Sequence, residues 1–285
     1  MVQGYKSDRK LKCLLLNGII NIMGKPAKKY NIGLVLSGGG ARGLAHIGAI
    51  KALNEAGIFP EVISGVSAGA IAATLIADGH KPDEILKMFN QAKLSKIVEL
   101  ILPKKGLLKM TGLIKIISQN LRASVFEDLS IPIYIGATDL NNGKTVYFSK
   151  GDLLKPVVAS ATIPVMFAPM KIENIMYVDG GVLNNFPIEP LLKKCNFIIG
   201  IHVNPFGYID DFNGMISVAE RSFHLAFANH IGKKINKCDI FIEPAGLKNY
   251  RLLDVAKIDE IFQLGYEETK KMLEENKEKV TLMLS

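Results

Sequence analysis

The fold is decided by residues 32–77, which read IGLVLSGGGARGLAHIGAIKALNEAGIFPEVISGVSAGAIAATLIA. Short apolar runs that end in turn residues predict buried strands, and longer apolar runs closed by glycine predict helices. The predicted segments alternate accordingly: strand 32–36, glycine-rich turn 37–42, helix 43–56, strand 62–64 and helix 67–77. Two successive strand–turn–helix units predict a parallel sheet with right-handed crossovers.

The rest of the chain is predicted to extend this sheet and to cover it. Further strands are expected at 131–138, 145–148, 175–178, 197–203 and 239–242. Helices are expected at 82–125, 153–161, 188–194, 218–235 and 254–277. We therefore predict an α/β fold, a three-layer sandwich with a mainly parallel central sheet flanked by helices. The sequence has no repeats and no low-complexity linker, so it predicts a basic leader 1–30 followed by a single domain 31–285. Within that domain, the motif core covers about 32–201 and a helical C-terminal extension continues to 285.

The pentapeptide Gly65-Val66-Ser67-Ala68-Gly69 joins the second predicted strand to the helix that follows it. A glycine two positions before and two after a serine permits a sharp turn, which exposes the hydroxyl at the carboxyl end of the strand. The N–H groups and dipole at the start of a helix favour negative charge beside that serine. The pattern predicts a nucleophile at Ser67, with Gly65 and Gly69 shaping its turn, and a purely structural turn is the alternative.

A second motif, Gly38-Gly39-Gly40-Ala41-Arg42-Gly43, also lies between a strand and a helix. Its glycines leave backbone N–H groups able to converge on an anion. One interpretation is an oxyanion hole for an intermediate formed at Ser67, and the other is a loop that binds the pyrophosphate of a dinucleotide. The dinucleotide interpretation requires an acidic residue at the carboxyl end of the next strand, whereas Glu61 precedes that strand. This difference favours the oxyanion hole.

A serine nucleophile needs a base, and Asp179 has the most suitable position. In Tyr177-Val178-Asp179-Gly180-Gly181 the aspartate ends a predicted strand, at the sheet edge where active-site groups of open α/β sheets collect. It can take the serine proton directly, and burial would raise its proton affinity. An aspartate that merely opens a turn is the alternative. A Ser-His-Asp triad stays open, but none of the histidines has motif support: His46, His80, His202, His224 and His230.

Together the three motifs resemble those of the patatin-like phospholipase family. The glycine loop, the serine pentapeptide and Asp179-Gly180-Gly181 occur in the order and context of that family. The segments 43–48, 159–164 and 179–187 are similar as well. The likeness runs from about Ile32 to Ile201, and it leaves the leader and the C-terminal part of the chain uncovered.

The resemblance implies a lipid acyl hydrolase with a Ser-Asp dyad, in which Ser67 is the nucleophile and Asp179 the base. Members hydrolyse fatty-acyl esters of phospholipids and related lipids, generally without calcium, so we expect a phospholipase A-type serine esterase with a lipid substrate. The likeness also implies that His46 is not catalytic. A non-catalytic lipid-binding or regulatory protein on the same fold is the alternative, against which the intact dyad argues. The remaining implied residues are an oxyanion hole of Gly38, Gly39, Gly40 and Arg42, with motif support from Gly43, Gly180 and Gly181.

Composition limits the cofactor and the compartment. Cys13, Cys195 and Cys238 lie far apart and leave an odd thiol, which is typical of a reducing cytoplasm. No Cys/His pair has metal-ligand spacing and no acidic loop resembles a calcium hand, so we expect neither a metal nor a cofactor. No stretch reaches the roughly 18–20 apolar residues of a membrane span, and a signal peptide is not expected. We therefore expect a cytoplasmic protein.

Basic residues concentrate in two segments. Residues 1–30 hold seven lysines and arginines against Asp8 alone, within a net charge of +8 for the chain. Residues 93–117 combine six lysines with many leucines and isoleucines, against Glu99 alone. Such segments suggest peripheral contact with an anionic membrane, in the second case as a lid or a membrane-facing patch, and we expect no nucleic-acid partner. The alternatives are a solvated leader and ordinary surface helices.

Overall fold

The computed structural model describes residues 28–91, 111–207 and 231–285 apart from 253 and 255, with isolated positions 214, 218, 221, 222 and 225. The strands are β1 (Tyr30–Leu36), β2 (Val62–Val66), β3 (Ile133–Asp139), β4 (Lys144–Phe148), β5 (Met170–Ile172), β6 (Ile175–Asp179), β7 (Cys195–Ile201) and β8 (Ile240–Ile242). The α-helices are α1 (Leu44–Glu55), α2 (Ala68–Ala77), α3 (Pro82–Gln91), α4 (Thr111–Asn120), α5 (Leu154–Ser160), α6 (Ile258–Glu275) and α7 (Lys277–Leu284).

The strands form one mixed sheet in the order β5-β6-β3-β2-β1-β7-β8, and β4 pairs with β3. The central run from β3 through β2, β1 and β7 to β8 is parallel throughout. The pairings of β3 with β4, of β3 with β6 and of β5 with β6 are antiparallel. The predicted α/β fold with a mainly parallel sheet is therefore confirmed.

Both faces of the sheet are covered. Along β1, Leu34 and Leu36 belong to the larger apolar cluster, whereas Val35 between them belongs to a second cluster on the opposite face. This alternation is what the two-residue period of a strand imposes when both faces are buried. The larger cluster contains buried residues of α1, α2 and α6, so these helices cover one face and form the outer layer of the sandwich there.

The strand β6 reaches the site from an unexpected direction. The first half of β3, from Ile133 to Gly136, pairs with β2, and its second half, from Ala137 to Asp139, pairs with β6. Because β6 is antiparallel to β3, its chain runs back toward the carboxyl ends of the parallel strands and stops there at Asp179. Asp179 therefore ends its strand at the edge that the sequence predicts, and the strand that brings it there is antiparallel to its neighbour β3.

Two predicted helices differ from the structure. Residues 189–194 form consecutive turns instead of a helix. Pro190 disfavours the helical conformation at Glu189, while Ile188 and Leu191 are fully buried against the sheet. The predicted helix 82–125 also ends early, since α4 stops at Asn120 and residues 121–125 are not helical.

The early end of α4 has a visible cause. The carboxylate of Asp78 accepts the N–H groups of Arg122 and Ala123, at 2.9 and 2.8 Å, and so takes donors that a longer helix would have used. The short strand β5 was not predicted. Residues 92–110 and nearly all of the predicted helix 218–235 lie outside the described residues, although 231–235 are helical.

Candidate active site

Ser67 lies at the junction of β2 and α2 in a left-handed backbone conformation, with φ 53° and ψ −123°. A serine is uncommon there, and the flanking glycines explain how the turn closes. A methyl group on Gly65 would lie 2.5 Å from the carbonyl oxygen of Gly69, and one on Gly69 would lie 2.4 Å from that of Leu36. The close approach of the chain to itself therefore requires glycine at both positions.

The backbone of Ser67 is held by a second serine, to which no sequence motif assigns a role. The N–H of Ser67 donates to Ser160 Oγ at 2.8 Å, and the Ser160 hydroxyl donates to the carbonyl of Gly136 at 2.6 Å. Both serines are buried. Ser160 thus ties the strained turn to β3, and its only sequence signal is its place in the segment 159–164.

Asp179 is 2% exposed and shares a hydrogen bond with the hydroxyl of Ser67. Its Oδ1 also accepts the N–H of Gly181 at 2.7 Å. Burial raises the pKa of this carboxyl to about 7, and the hydrogen bonds from Ser67 and Gly181 oppose that rise without cancelling it. The structure therefore brings together the predicted nucleophile and the predicted base, with the base poised to titrate near neutral pH.

The glycine loop passes close to Ser67. A methyl group on Gly38 would lie 3.1 Å from Ser67 Cβ, and one on Gly43 would lie 2.4 Å from Ala68 Cβ at the start of α2. Gly40 has φ 55°, which glycine adopts without strain. Of the four residues predicted to form an oxyanion hole, Gly38 and Arg42 have backbone N–H groups that are already bonded, to the carbonyls of Asn185 at 3.3 Å and of Gly39 at 3.1 Å. Among the described residues, no hydrogen bond is donated by the N–H groups of Gly39 and Gly40.

Arg42 anchors this loop to the C-terminal part of the chain. Its buried guanidinium donates from Nε to the carbonyl of Tyr250 at 2.7 Å and contacts Asn204 Oδ1 at 3.5 Å. The carboxamide of Asn204 in turn donates to the carbonyl of Gly38 at 2.6 Å. These contacts assign to Arg42 and Asn204 a part in holding the loop in place, and Asn204 carried no signal in the sequence.

The histidines have contacts of their own. His46 is fully buried and its Nε2 donates to the carbonyl of Ser37 at 2.8 Å, while burial lowers its pKa to about 4. His202 is buried and pairs through Nδ1 with Glu243 at 2.5 Å. His80 contacts the carbonyl of Asn120 at 2.9 Å. His224 and His230 lie outside the described residues.

Glu61 lies at the opposite edge of the sheet from the glycine loop. Its side chain accepts the N–H of Asn31 at 3.0 Å, and its own N–H donates to Ile32 at the start of β1. Glu61 therefore lies at the amino ends of the parallel strands, as its place directly before β2 in the sequence predicts. A dinucleotide whose pyrophosphate lay on the glycine loop would have no acidic partner from this residue.

The family model described as patatin-like phospholipase matches residues 34–192, which include the glycine loop, Ser67 and Asp179. The chain belongs to the patatin-like phospholipase family. The crystal structure of VipD from Legionella pneumophila is similar, with a TM-score of 0.52 at 16% identity, and the likeness covers 88% of this chain and 68% of VipD. At that identity the likeness supports the patatin-like fold and nothing finer.

Among curated relatives of this patatin-like chain, lysophospholipase nte1 of Emericella nidulans is 29% identical over 290 residues, which cover 89% of this chain and 19% of that protein. An NTE family protein of Mycobacterium tuberculosis is 34% identical over 163 residues, which cover 56% of this chain and 45% of that protein. The chain thus spans about a fifth of the length of the nte1 relatives and under half of the mycobacterial one.

Two further observations concern membranes and metals. No helix in the described part of the chain is long and apolar enough to cross a bilayer. Within the same residues, no three His, Cys, Asp or Glu side chains gather in a way that could hold a metal ion. The expectation that the protein uses neither a metal nor a cofactor stays a prediction.

Proposed function

We propose that this protein is a lipid acyl hydrolase that cleaves fatty-acyl esters of phospholipids or related lipids, with Ser67 as nucleophile and Asp179 as base. The observation that carries the proposal is the hydrogen bond between the Ser67 hydroxyl and a buried carboxylate whose pKa is raised to about 7. Membership of the patatin-like phospholipase family supports the same chemistry.

In the first half of the proposed reaction, Ser67 Oγ attacks the ester carbonyl carbon as its proton passes to Asp179. A bond forms between Oγ and carbon, and the carbonyl π electrons move onto oxygen. The N–H groups of Gly39 and Gly40 stabilise this oxyanion, because they lie in the loop beside Ser67 and are free of acceptors in the described structure. Collapse then breaks the bond to the alcohol oxygen, which takes the proton from Asp179.

In the second half, water replaces the alcohol. Asp179, again a carboxylate, accepts a proton from the water as its oxygen attacks the acyl carbon. The tetrahedral intermediate collapses with cleavage of the bond to Oγ, the proton returns to Ser67, and the fatty acid leaves. Each half-reaction uses one proton shuttled by one carboxylate, so no imidazole is required.

Burial makes this carboxylate a suitable base. An exposed aspartate has a pKa near 4 and would hold a serine proton poorly, whereas a base works best when its pKa is close to the working pH. The raised pKa of Asp179 meets that condition. The strained turn at Ser67 adds a fixed orientation, since Ser160 holds the backbone of the nucleophile.

The substrate class and the location are part of the proposal. Because relatives are named lysophospholipases, single-chain phospholipids are the first substrates to test, beside diacyl phospholipids and simple esters. We propose a cytoplasmic protein that contacts anionic membranes peripherally through the basic segments 1–30 and 93–117. Most of both segments lies outside the described residues; Lys28, Lys29 and Lys115 within them are exposed.

The proposal is tested by labelling with a fluorophosphonate, a probe that reacts with activated serine hydroxyls. Wild-type protein is expected to label strongly and Ser67→Ala not at all. Asp179→Asn is expected to label at least about 100-fold more slowly, because a positioned base contributes roughly that factor or more. Ser118→Ala, which removes an exposed hydroxyl bonded only locally to Lys115, is the matched control and should label like wild type.

Two results would count against the proposal. Equal labelling of wild type and Ser67→Ala would show that another residue reacts. A wild-type protein that neither labels nor releases fatty acid from any lipid, yet binds lipid vesicles, would favour the non-catalytic alternative on the same fold.

A further inference from the structure

Asn185 touches both loops of the site. It follows the Asp179-Gly180-Gly181 turn, is 5% exposed, and accepts the N–H of Gly38 on its backbone carbonyl at 3.3 Å. The peptide that carries Asn185 therefore lies directly against the glycine loop. This contact is long-range in the sequence, and the only sequence signal of this asparagine is its place in the segment 179–187.

The side chain of Asn185 occupies the same junction. A methyl group on Gly38 would lie 2.4 Å from Asn185 Oδ1 and 3.1 Å from Ser67 Cβ, so the two side chains flank one glycine. A methyl group on Gly181 would lie 2.8 Å from Asn185 Oδ1 and 2.9 Å from Asp179 Oδ1. The carboxamide thus lies beside the two glycines that neighbour Ser67 and Asp179, with Oδ1 as the atom nearest to both glycines.

The amide nitrogen of Asn185 is buried and has no hydrogen-bond partner among the described residues. Leaving a buried donor unpaired is unfavourable, and a catalytic role is one of the recognised reasons for such an exception in a native protein. The neighbouring asparagine has no such deficit. Asn184 Nδ2 donates to Tyr147 Oη and to Glu189 Oε2, both at 2.8 Å, and its Oδ1 accepts the N–H of Phe186 at 3.2 Å.

We propose that Asn185 Nδ2 donates a hydrogen bond to the carbonyl oxygen of the scissile ester as that oxygen becomes an oxyanion. Asn185 would add a side-chain donor to the backbone donors of the glycine loop. This inference rests on the proposed acyl hydrolase function and extends it by one catalytic residue. A donor fixed in a buried site acts strongly on developing charge, because it needs no reorganisation and no water competes for it.

The residue type fits this role. A carboxamide supplies N–H donors without adding charge, whereas an aspartate at the same point would place a second anion beside Asp179. Two carboxylates in contact raise the pKa of one of them and repel an oxyanion. Asparagine therefore stabilises the intermediate while leaving the base free to titrate.

The test compares Asn185→Leu, which keeps a similar branched shape without a donor, with wild type on a p-nitrophenyl fatty-acyl ester. We expect kcat and kcat/KM to fall together by about 100-fold with KM within about threefold, as for removal of one oxyanion donor. Asn185→Asp, which has the same shape and no N–H, should lose as much activity. It should also move the acid limb of the kcat/KM profile to higher pH, which a purely structural defect would not do.

Asn184→Ala is the matched control, because it disrupts the same segment without removing the proposed donor. It is expected to lower the melting temperature while kcat stays within about threefold of wild type. If wild type is active and Asn185→Leu and Asn185→Asp keep wild-type kcat, the role of Asn185 is refuted while the acyl hydrolase proposal stands. Equal loss of kcat in Asn184→Ala would also refute it, because displacement of the segment would then suffice. A wild type without fluorophosphonate labelling or hydrolysis would instead overturn the proposed function itself.

Discussion

Asp179 holds its proton more tightly than an exposed aspartate because burial removes the water that would solvate its charge. The raised pKa has a consequence for activity. The carboxylate is the form that accepts the serine proton, so kcat/KM should fall as pH drops below about 7 and level off above it. A pH profile of ester hydrolysis measures this, and an acid limb near pH 4 would contradict the buried base.

The same raised pKa has the opposite consequence for stability. The folded state binds this proton more tightly than the unfolded state, where the pKa is near 3.8, so the contribution of Asp179 to the free energy of unfolding falls as pH rises from about 4 to 7. Asp179→Asn removes the buried charge and keeps an acceptor for the N–H of Gly181. Relative to wild type it should be more stable at pH 8, by roughly 1–4 kcal/mol, and this difference should shrink at pH 4.

Urea unfolding at both pH values measures the difference. Only the wild type has an ionisable group at residue 179. The difference in free energy of unfolding between wild type and Asp179→Asn, compared at the two pH values, therefore cancels the contributions of the other ionisable groups. An Asp179→Asn variant that is less stable than wild type at pH 8 would show that the carboxylate is stabilised in place by its hydrogen bonds. A gain in stability together with a loss of activity is the pattern expected of a strained catalytic group.

At the scale of elements, the helices α1 and α6 approach closely enough to exclude side chains. A methyl group on Gly48 would lie 2.0 Å from the carbonyl oxygen of Phe262, and one on Gly265 would lie 2.0 Å from that of Ala45. The two glycines thus form a reciprocal contact between backbones. Since α1 follows the glycine loop directly, this contact also fixes the position of the loop.

Gly48→Ala and Gly265→Ala should each destabilise the fold by about 1–3 kcal/mol, because overpacking outweighs the better helix propensity of alanine. The control is Gly232→Ala. Gly232 lies in a helical segment and has no atom within 4 Å of the added methyl group, so its substitution should be neutral or stabilising by up to about 1 kcal/mol. The melting temperatures of the three variants, measured by thermal unfolding, test this prediction. Similar stabilities for all three would contradict the close backbone contact between α1 and α6 at Gly48 and Gly265.

The elements nearest the site were predictable because their signals are local. A strand, a glycine turn and a helix follow one another within a few residues around Ser67, and the structure has them as β2, the turn and α2. Elements set by distant partners were not predictable. The apolar residues of segment 189–194 are compatible with a helix as well as with the turns that the structure contains. The direction of β6 depends on its pairing with the second half of β3, which lies about 40 residues earlier in the chain.

The residues of the site differ in the same way, between those in local motifs and those positioned by long-range contacts. Ser67 and Asp179 stand in short motifs with a defined strand and turn context, so the sequence sufficed to single them out. Ser160, Asn185 and Asn204 act through contacts with residues far along the chain. Ser160 and Asn185 lie in the similar segments 159–164 and 179–187, but those segments assign no role to either residue, and only the fold brings each one to its partner.

At the scale of the whole molecule, residues beyond the family match complete the site. The carbonyl of Leu252 accepts the N–H of Ala41 at 2.7 Å, and the carbonyl of Tyr250 accepts Arg42 Nε at 2.7 Å. The family model ends at residue 192, so the glycine loop is held by a part of the chain that the model does not include. Helix α6 further covers α1 with Ile261 and Phe262, both buried.

Removal of residues 244–285 should therefore abolish cooperative folding and fluorophosphonate labelling together. The deletion exposes the apolar face of α1 and removes buried side chains worth roughly 1.5–3 kcal/mol each, which is large against a total stability of about 5–15 kcal/mol. Removal of 277–285 alone deletes α7, with buried Met283 and its carbonyl contact to Asn31, and should lower the melting temperature while labelling persists.

The full chain should unfold in a single transition, with far-ultraviolet and near-ultraviolet circular dichroism changing together, because the described strands form one sheet and all three apolar clusters include residues of that sheet. Two separate transitions would contradict the prediction that 31–285 is a single domain, and so would labelling that survives loss of 244–285. The physical reason is that the glycine loop is too short to keep its shape alone. Tyr250 holds the side chain of Arg42, Leu252 holds the N–H of Ala41 and Asn204 holds the carbonyl of Gly38, and these contacts fix the loop with the N–H groups of Gly39 and Gly40 left for an oxyanion.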